Sequence, residues 1–358
     1  MARSVEREAE NLDEIINRAV SWGDFESRRL SEAVCGLLKY QNFTGKGGIT
    51  SADGVIRQLV SSDEMRLQGI CTRHLGDVAR RRSDLDGAQK HYEEAMRLHK
   101  KLGNELGEAN CISSLGDVAL HRSDLDGAQK HYEEARHLHK KVGDEVGQAS
   151  CIRNLGDVAL RRSDLDGAQT HYEEAMCFNK KVGNELGEAN CISSLGDVAL
   201  RRSDLDGAQK HHEEAMRLSK KVGSELGQAT SVRSLGDVAL RRSDFDGAQK
   251  HYEEAMRRYK KVGDKLGQAN CLHRFGDLAL RQKKDAEAVT HWYAALDSYV
   301  RITDKAGEGF SCVKLARHGP PEDATKMREQ ARMAFQAMRR ADFIARFVDG
   351  NEDTDSEF

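Results

Sequence analysis

Proline is nearly absent from this 358-residue chain; the only two, Pro320 and Pro321, are adjacent. With so few helix breakers and abundant Ala, Glu, Lys, Leu and Arg, the composition predicts an all-helical protein. Charge of one sign is missing too. The 56 basic residues face 59 acidic ones, a formal net charge of -3, which leaves no bulk electrostatic case for nucleic acid. No stretch approaches the roughly 18–20 apolar residues of a membrane span, so no membrane partner is expected. The opening residues, MARSVEREAENLDEI, are charged throughout and lack the apolar run of a signal peptide. A cytosolic or nuclear location is therefore expected, the cytoplasm first. Asn42-Phe43-Thr44 matches the glycosylation sequon, but without a secretory signal it reads as chance.

Catalytic motifs are missing as well. Gly45-Lys46-Gly47 suggests a phosphate loop, but Tyr40 stands where that motif needs a glycine, and Gly47 where it needs Ser or Thr. Asp84-Leu85-Asp86-Gly87 resembles a calcium loop, yet Ala95 occupies the place of the bidentate glutamate; helix capping accounts for it better. His91, His131, His171, His211, His251 and His291 form a ladder, but neighbouring helices pack roughly 10 Å apart, too far to share a metal held at about 2 Å. Adjacent pairs such as Glu133-Glu134 diverge on a helix and read as a solvated face. No nucleophile elbow or zincin motif is present. The expectation is a non-enzyme with no catalytic residues, no cofactor and no metal.

What the chain does have is repetition. From Gly69 to Glu308 a forty-residue unit recurs six times; Asn104–Gly143 and Asn184–Gly223 differ at five of forty positions. Self-similarity at this period predicts a solenoid in which each unit covers its neighbour's apolar face. Cys71, Cys111, Cys151, Cys191 and Cys271 are spaced forty apart, with Ser231 replacing the fifth, and so read as small buried residues rather than disulfide partners.

Each unit holds two helices. Asn104 caps one beginning near Glu105, after Gly103 has ended the preceding helix. Ile112, Leu115, Val118 and Ala119 form its buried stripe. Gly116 and its equivalents at 76, 156, 196, 236 and 276 imply close approach of another helix, since mid-helix glycine costs about 1 kcal/mol relative to alanine. Ser123 or Asp124 caps the second helix, whose apolar face carries Leu125, Ala128, Tyr132, Ala135, Leu138 and Val142. Lys140 and Lys141 suit its negative end, and Gly143 stops it.

The series Ile112, Leu115-Gly116, Ala119, Ala128, Tyr132, Ala135 closely resembles the tetratricopeptide pattern. The forty-residue length and the linker GNELGEA are similar to the longer subclass of kinesin light chains and of fungal nucleotide-binding immune-type (NB-ARC/NACHT) receptors. Two departures are Ala119 for the usual tyrosine and lysine for the helix-ending proline. The resemblance covers about two thirds of the chain and implies an all-α, right-handed α-solenoid. The expected organisation is an N-terminal helical cap over 1–68, six repeats over 69–308, a degenerate repeat and capping helix over 309–348, and an acidic disordered tail over 349–358. Upstream helices are expected at Val5–Val20, Phe25–Tyr40 and Ser51–Leu59, with Gly45–Gly48 as a loop; a longer capping helix is expected from Glu322 to Val348.

In tetratricopeptide proteins the first helices line the concave surface. The resemblance therefore places a partner over Arg73, Asp77, Arg81, Asn110, Ser113, Asp117, His121, Arg153, Asp157, Arg161, Asn190, Ser193, Asp197, Arg201, Arg233, Asp237, Arg241, His273, Asp277 and Arg281. Each aspartate has Arg or His four residues on, a spacing that allows an intrahelical pair worth about 0.2–0.5 kcal/mol; the series reads either as self-neutralising surface charge or as a ladder of donors and acceptors. Arginine in alternate repeats at 73, 153 and 233 suggests a mildly basic groove and an acidic or phosphorylated peptide. A second variable patch lies at Arg97, His137, Cys177, Arg217 and Arg257. The expected function is a protein-interaction scaffold. The alternatives are the sensor arm of a signalling ATPase without its nucleotide-binding domain, and a kinesin-light-chain-like cargo adaptor. Oligomeric state is not legible.

Overall fold

The computed structural model describes residues 62–81, 83–338 and 340–350. The expected helices Val5–Val20, Phe25–Tyr40 and Ser51–Leu59, the Gly45–Gly48 loop and the tail from Asn351 lie outside them. The described chain is all-helical: α1 (Ser62–Arg81), α2 (Leu85–Lys101), α3 (Glu105–His121), α4 (Leu125–Lys141), α5 (Glu145–Arg161), α6 (Leu165–Lys181), α7 (Glu185–Arg201), α8 (Leu205–Lys221), α9 (Glu225–Arg241), α10 (Phe245–Val262), α11 (Lys265–Arg281), α12 (Asp285–Ile302), α13 (Lys305–His318), α14 (Ala324–Ala337) and α15 (Ala341–Phe343). Consecutive helices pack as pairs, the arrangement of a tetratricopeptide α-solenoid. Two compact units divide between Cys151 and Ile152. No described helix is long and apolar enough to cross a membrane.

The turn sequence Arg-Ser-Asp-Leu-Asp-Gly joins the two helices of a repeat. Asp124 is the cap of α4, its carboxylate accepting from the Gly127 amide at 2.9 Å, worth about 1 kcal/mol. A Cβ on Gly127 would sit 2.1 Å from that carboxylate, so the glycine belongs to the cap. Ser123 does not cap; it ends α3 in the left-handed conformation, φ 57°, which costs a non-glycine residue about 1 kcal/mol or more. The arginine just before the serine ties three of these turns to the preceding repeat: Arg122 binds Asp86 and Gln89, Arg202 binds Asp166 and Gln169, and Arg242 binds Asp206 and Gln209.

The mid-helix glycines do mark close approach. A Cβ on Gly116 would lie 2.6 Å from the Tyr132 ring, and one on Gly236 2.5 Å from Tyr252. The tyrosine is fully buried, together with Ala128 and Ala135, so the second helix packs through small residues around one large ring. Val142, expected on that face, is 38% exposed, and Leu125 and Leu138 are only half-buried. Cys111, Cys151, Cys191 and Cys271 are buried and unpaired, as expected, and burial pushes the Cys111 thiol up to about 12. Cys71, also buried, departs from that reading by being disulfide-bonded.

The expected Glu322–Val348 helix is broken. After Pro320 a short 3-10 turn, Pro321–Asp323, leads into α14, and the chain bends at Met338 before α15 and the π turn Ile344–Val348. The bend folds Phe343 and Phe347 back onto Phe310, with ring centroids 5.1 and 5.7 Å away, and the Arg340 guanidinium covers Phe343. An aromatic plug thereby replaces the next repeat that would otherwise cover this end.

Candidate functional site

On each first helix the positions of Asn110, Ser113, Asp117 and His121 share one face. The aspartates are anchored from below. The hydroxyls of Tyr92, Tyr132, Tyr172 and Tyr252 donate to Asp77, Asp117, Asp157 and Asp237 at 2.8, 2.8, 2.6 and 2.8 Å. Burial holds the Tyr172 and Tyr252 hydroxyls well above the usual phenol range, and Asp157 and Asp237 add to this, so they remain donors.

Arginine four residues earlier supplies a second contact. Arg73–Asp77, Arg153–Asp157 and Arg233–Asp237 are 3.6, 3.1 and 2.9 Å apart. The three arginines from which a basic groove was expected are thus each matched to a carboxylate. Burial opposes ionisation of Asp77, but His74, Arg73 and Tyr92 together hold its carboxyl below the ordinary range. The residue four places after the aspartate points elsewhere in two repeats: His121 Nδ1 lies 2.7 Å from the Asp117 carbonyl, and Arg241 donates to the Leu200 carbonyl at 3.4 Å.

The expected site is not uniform along the array. In the sixth repeat His273 and Asp277 are only 1% and 6% exposed, withdrawn from any partner. α13 lies over them, with Ser311 3.1 Å from His273 and Lys314 3.6 Å from Asp277. Arg274 joins this internal network, 3.1 Å from Asp237 and 3.2 Å from Asp277. Asp77 is also buried. Arg81, Arg161, Asn190, Asp197, Arg201, Arg241 and Arg281 are exposed, while Arg73, Asn110, Ser113, Asp117, His121, Arg153, Asp157, Ser193, Arg233 and Asp237 are half-exposed.

The fourth repeat breaks the pattern. Tyrosine is replaced by His212, which is fully buried with neither ring nitrogen hydrogen-bonded. Its Nε2 stops 3.7 Å from Asp197, and burial lowers its pKa to about 4. The signal was present in the sequence as a single exception in the aromatic series. The second-helix patch, Arg97, His137, Cys177, Arg217 and Arg257, is exposed throughout. Among the described residues no cluster of His, Cys, Asp or Glu is placed to hold a metal.

The family profile described as tetratricopeptide repeat matches residues 70–141, 108–181, 148–221, 188–261 and 225–299. No curated protein matches the sequence. Among solved structures, a Rap conjugation gene regulator of plasmid pLS20, in complex with the Phr* peptide, is 16% identical, covering 96% of this chain and 98% of that one, with a TM-score of 0.63. NprR in complex with its cognate peptide NprX is 10% identical over 90% and 97%, with a TM-score of 0.58. A signal transduction ATPase with a tetratricopeptide repeat sensor from Pyrococcus horikoshii is 14% identical over 94% of this chain and 54% of that one, with a TM-score of 0.52. At these identities the likeness shows the fold alone.

Proposed function

Because the chain belongs to the tetratricopeptide repeat family, we propose that it is a non-catalytic interaction scaffold holding a peptide or protein on its first-helix face. One observation carries this reading: Ser113 and Asp117 on α3, and Ser193 and Asp197 on α7, stay half-exposed or exposed, while the neighbouring positions on each helix, Leu115 and Val118, Leu195 and Val198, are buried. The two peptide complexes of the same fold are consistent with such use. An acidic or phosphorylated partner would have to compete with Asp77, Asp157 and Asp237 for Arg73, Arg153 and Arg233, so those arginines do not favour it. A second reading, the sensor arm of a signalling ATPase, draws on the Pyrococcus horikoshii protein, of which this chain spans about half.

Peptides selected from a display library against the protein test the binding face. Ser193→Trp, on the first-helix face, is expected to weaken them by about tenfold or more, roughly 1.4 kcal/mol. Arg217→Trp, on the exposed second-helix patch, is expected to leave them unchanged. The opposite pattern would move the binding surface to the second helices.

A further inference from the structure

Repeat four has lost both of the contacts that occupy the aspartates of its two flanking repeats. Ser193 stands where Arg153 and Arg233 stand in the flanking repeats, and His212 stands where they have Tyr172 and Tyr252. An imidazole is shorter than a phenol, so the His212 Nε2 ends 3.7 Å from Asp197 Oδ1, beyond hydrogen-bond range. The consequence shows in exposure. The Asp197 side chain is 51% exposed, against 29% for Asp157 and 12% for Asp237. A carboxylate that accepts strongly and receives no donor faces solvent on the proposed binding face, and below it a fully buried histidine, itself without a hydrogen bond, points at it.

We propose that Asp197 is the anchor for a basic side chain, an arginine or lysine carried by an extended segment of the partner. This rests on the reading of the first-helix face given above. One carboxylate with no second ligand suits a guanidinium or ammonium better than a metal ion. Ser193, one turn earlier on α7, and Asn190, two turns earlier, supply neutral donors and acceptors on the same face. Arg153 and Arg233 each bind their own aspartate, and Arg233 and Arg201 act on Asp197 only through space. Burial in the repeat, opposed by Arg233 and reinforced by Asp237 and Asp157, pushes the Asp197 carboxyl up to about 7, although half its side chain reaches solvent; binding is therefore compared at a pH of about 8, where the carboxylate is mostly ionised whichever influence prevails.

The probes are three pools of short peptides, randomised at every position except a central arginine, glutamate or norleucine. The wild-type protein is expected to bind the arginine pool about tenfold more tightly than the norleucine pool, and Asp197→Asn to abolish the difference. His212→Tyr, which rebuilds the hydroxyl contact to Asp197, is expected to erase the preference while raising thermal stability, separating loss of the anchor from loss of the fold. Equal binding of all pools would overturn the role of Asp197 and leave the scaffold reading standing. A preference that survives Asp197→Asn, or tighter binding of the glutamate pool, would overturn it too. Binding of no pool would overturn both readings.

Discussion

Tyr252→Ala is expected to cost about 3–5 kcal/mol, and Tyr252→Phe only about 1 kcal/mol. The ring is 0% exposed. It fills the space that Gly236 leaves open and meets Phe275 edge-on at 5.8 Å, so truncation removes the largest filler from a core otherwise built of Ala239, Ala248 and Leu278. Phenylalanine keeps that volume and forfeits only the bond to Asp237, whose carboxylate retains Arg233 and Arg274. Urea unfolding of the two variants reads the difference. Because a repeat array is stabilised by nearest-neighbour contacts, the alanine variant is also expected to unfold in two steps. Equal losses from the two substitutions would mean that the hydroxyl, rather than the ring, holds the pair together.

His212→Tyr is expected to do the reverse and stabilise the protein by about 1–3 kcal/mol, the cost of a buried polar group without a partner. The space is suitable. The gap between Gly196 and His212 matches that between Gly156 and Tyr172, and Asp197 is placed to accept the new hydroxyl as Asp157 does. The gain grows in acid. The folded pKa of His212 is lowered from 6.5 to about 4, first by burial and then by Arg233 and His211, against Asp237. A histidine lowered on folding leaves stability whole above its unfolded pKa and drains it as pH falls from there towards the folded value. Thermal melts at neutral pH and near pH 5 should therefore show the gap between variant and wild type widening. A gap that narrows in acid would mean that His212 is held charged.

Much of this was legible in the sequence because the determinants are local. The forty-residue period, a close helix approach at the mid-helix glycine, a cap at Ser123 or Asp124 and the buried cysteine positions all follow from spacing along one or two helices; that a tyrosine ring fills the approach and that Asp124 is the cap came from the structure. The aspartate contacts were not legible. Sequence spacing offers Asp117 a partner on its own helix, whereas the residue that holds it, Tyr132, lies 15 positions away on the next helix. The apparent arginine excess has a different origin: the sequence reading pairs the aspartate with the residue four places after it, whereas the arginines at 153 and 233, four places before it on the same helix, are the ones that reach it. His273 and Asp277 are lost to burial by α13; the degenerate repeat was legible there, but not that its Ser311 and Lys314 would close over these two positions.

A further buried position escaped notice because it varies. His99, His139, Asn179, Ser219, Tyr259 and Tyr299 are 0–4% exposed, each lying over a glycine of the following first helix. A side chain that changes from repeat to repeat resembles surface drift in sequence. Here the change is accommodated locally, as when Asn184 donates to Asn179 at 2.7 Å and the Tyr299 hydroxyl donates to Asn270 at 2.7 Å.

The central claim, that ligand binding belongs to the first helices around repeat four, is tested most directly by amide hydrogen exchange with and without a selected peptide. New protection in α7 and α9, with α6 and α8 unchanged, is the expected result. Protection confined to α6 and α8 would contradict it.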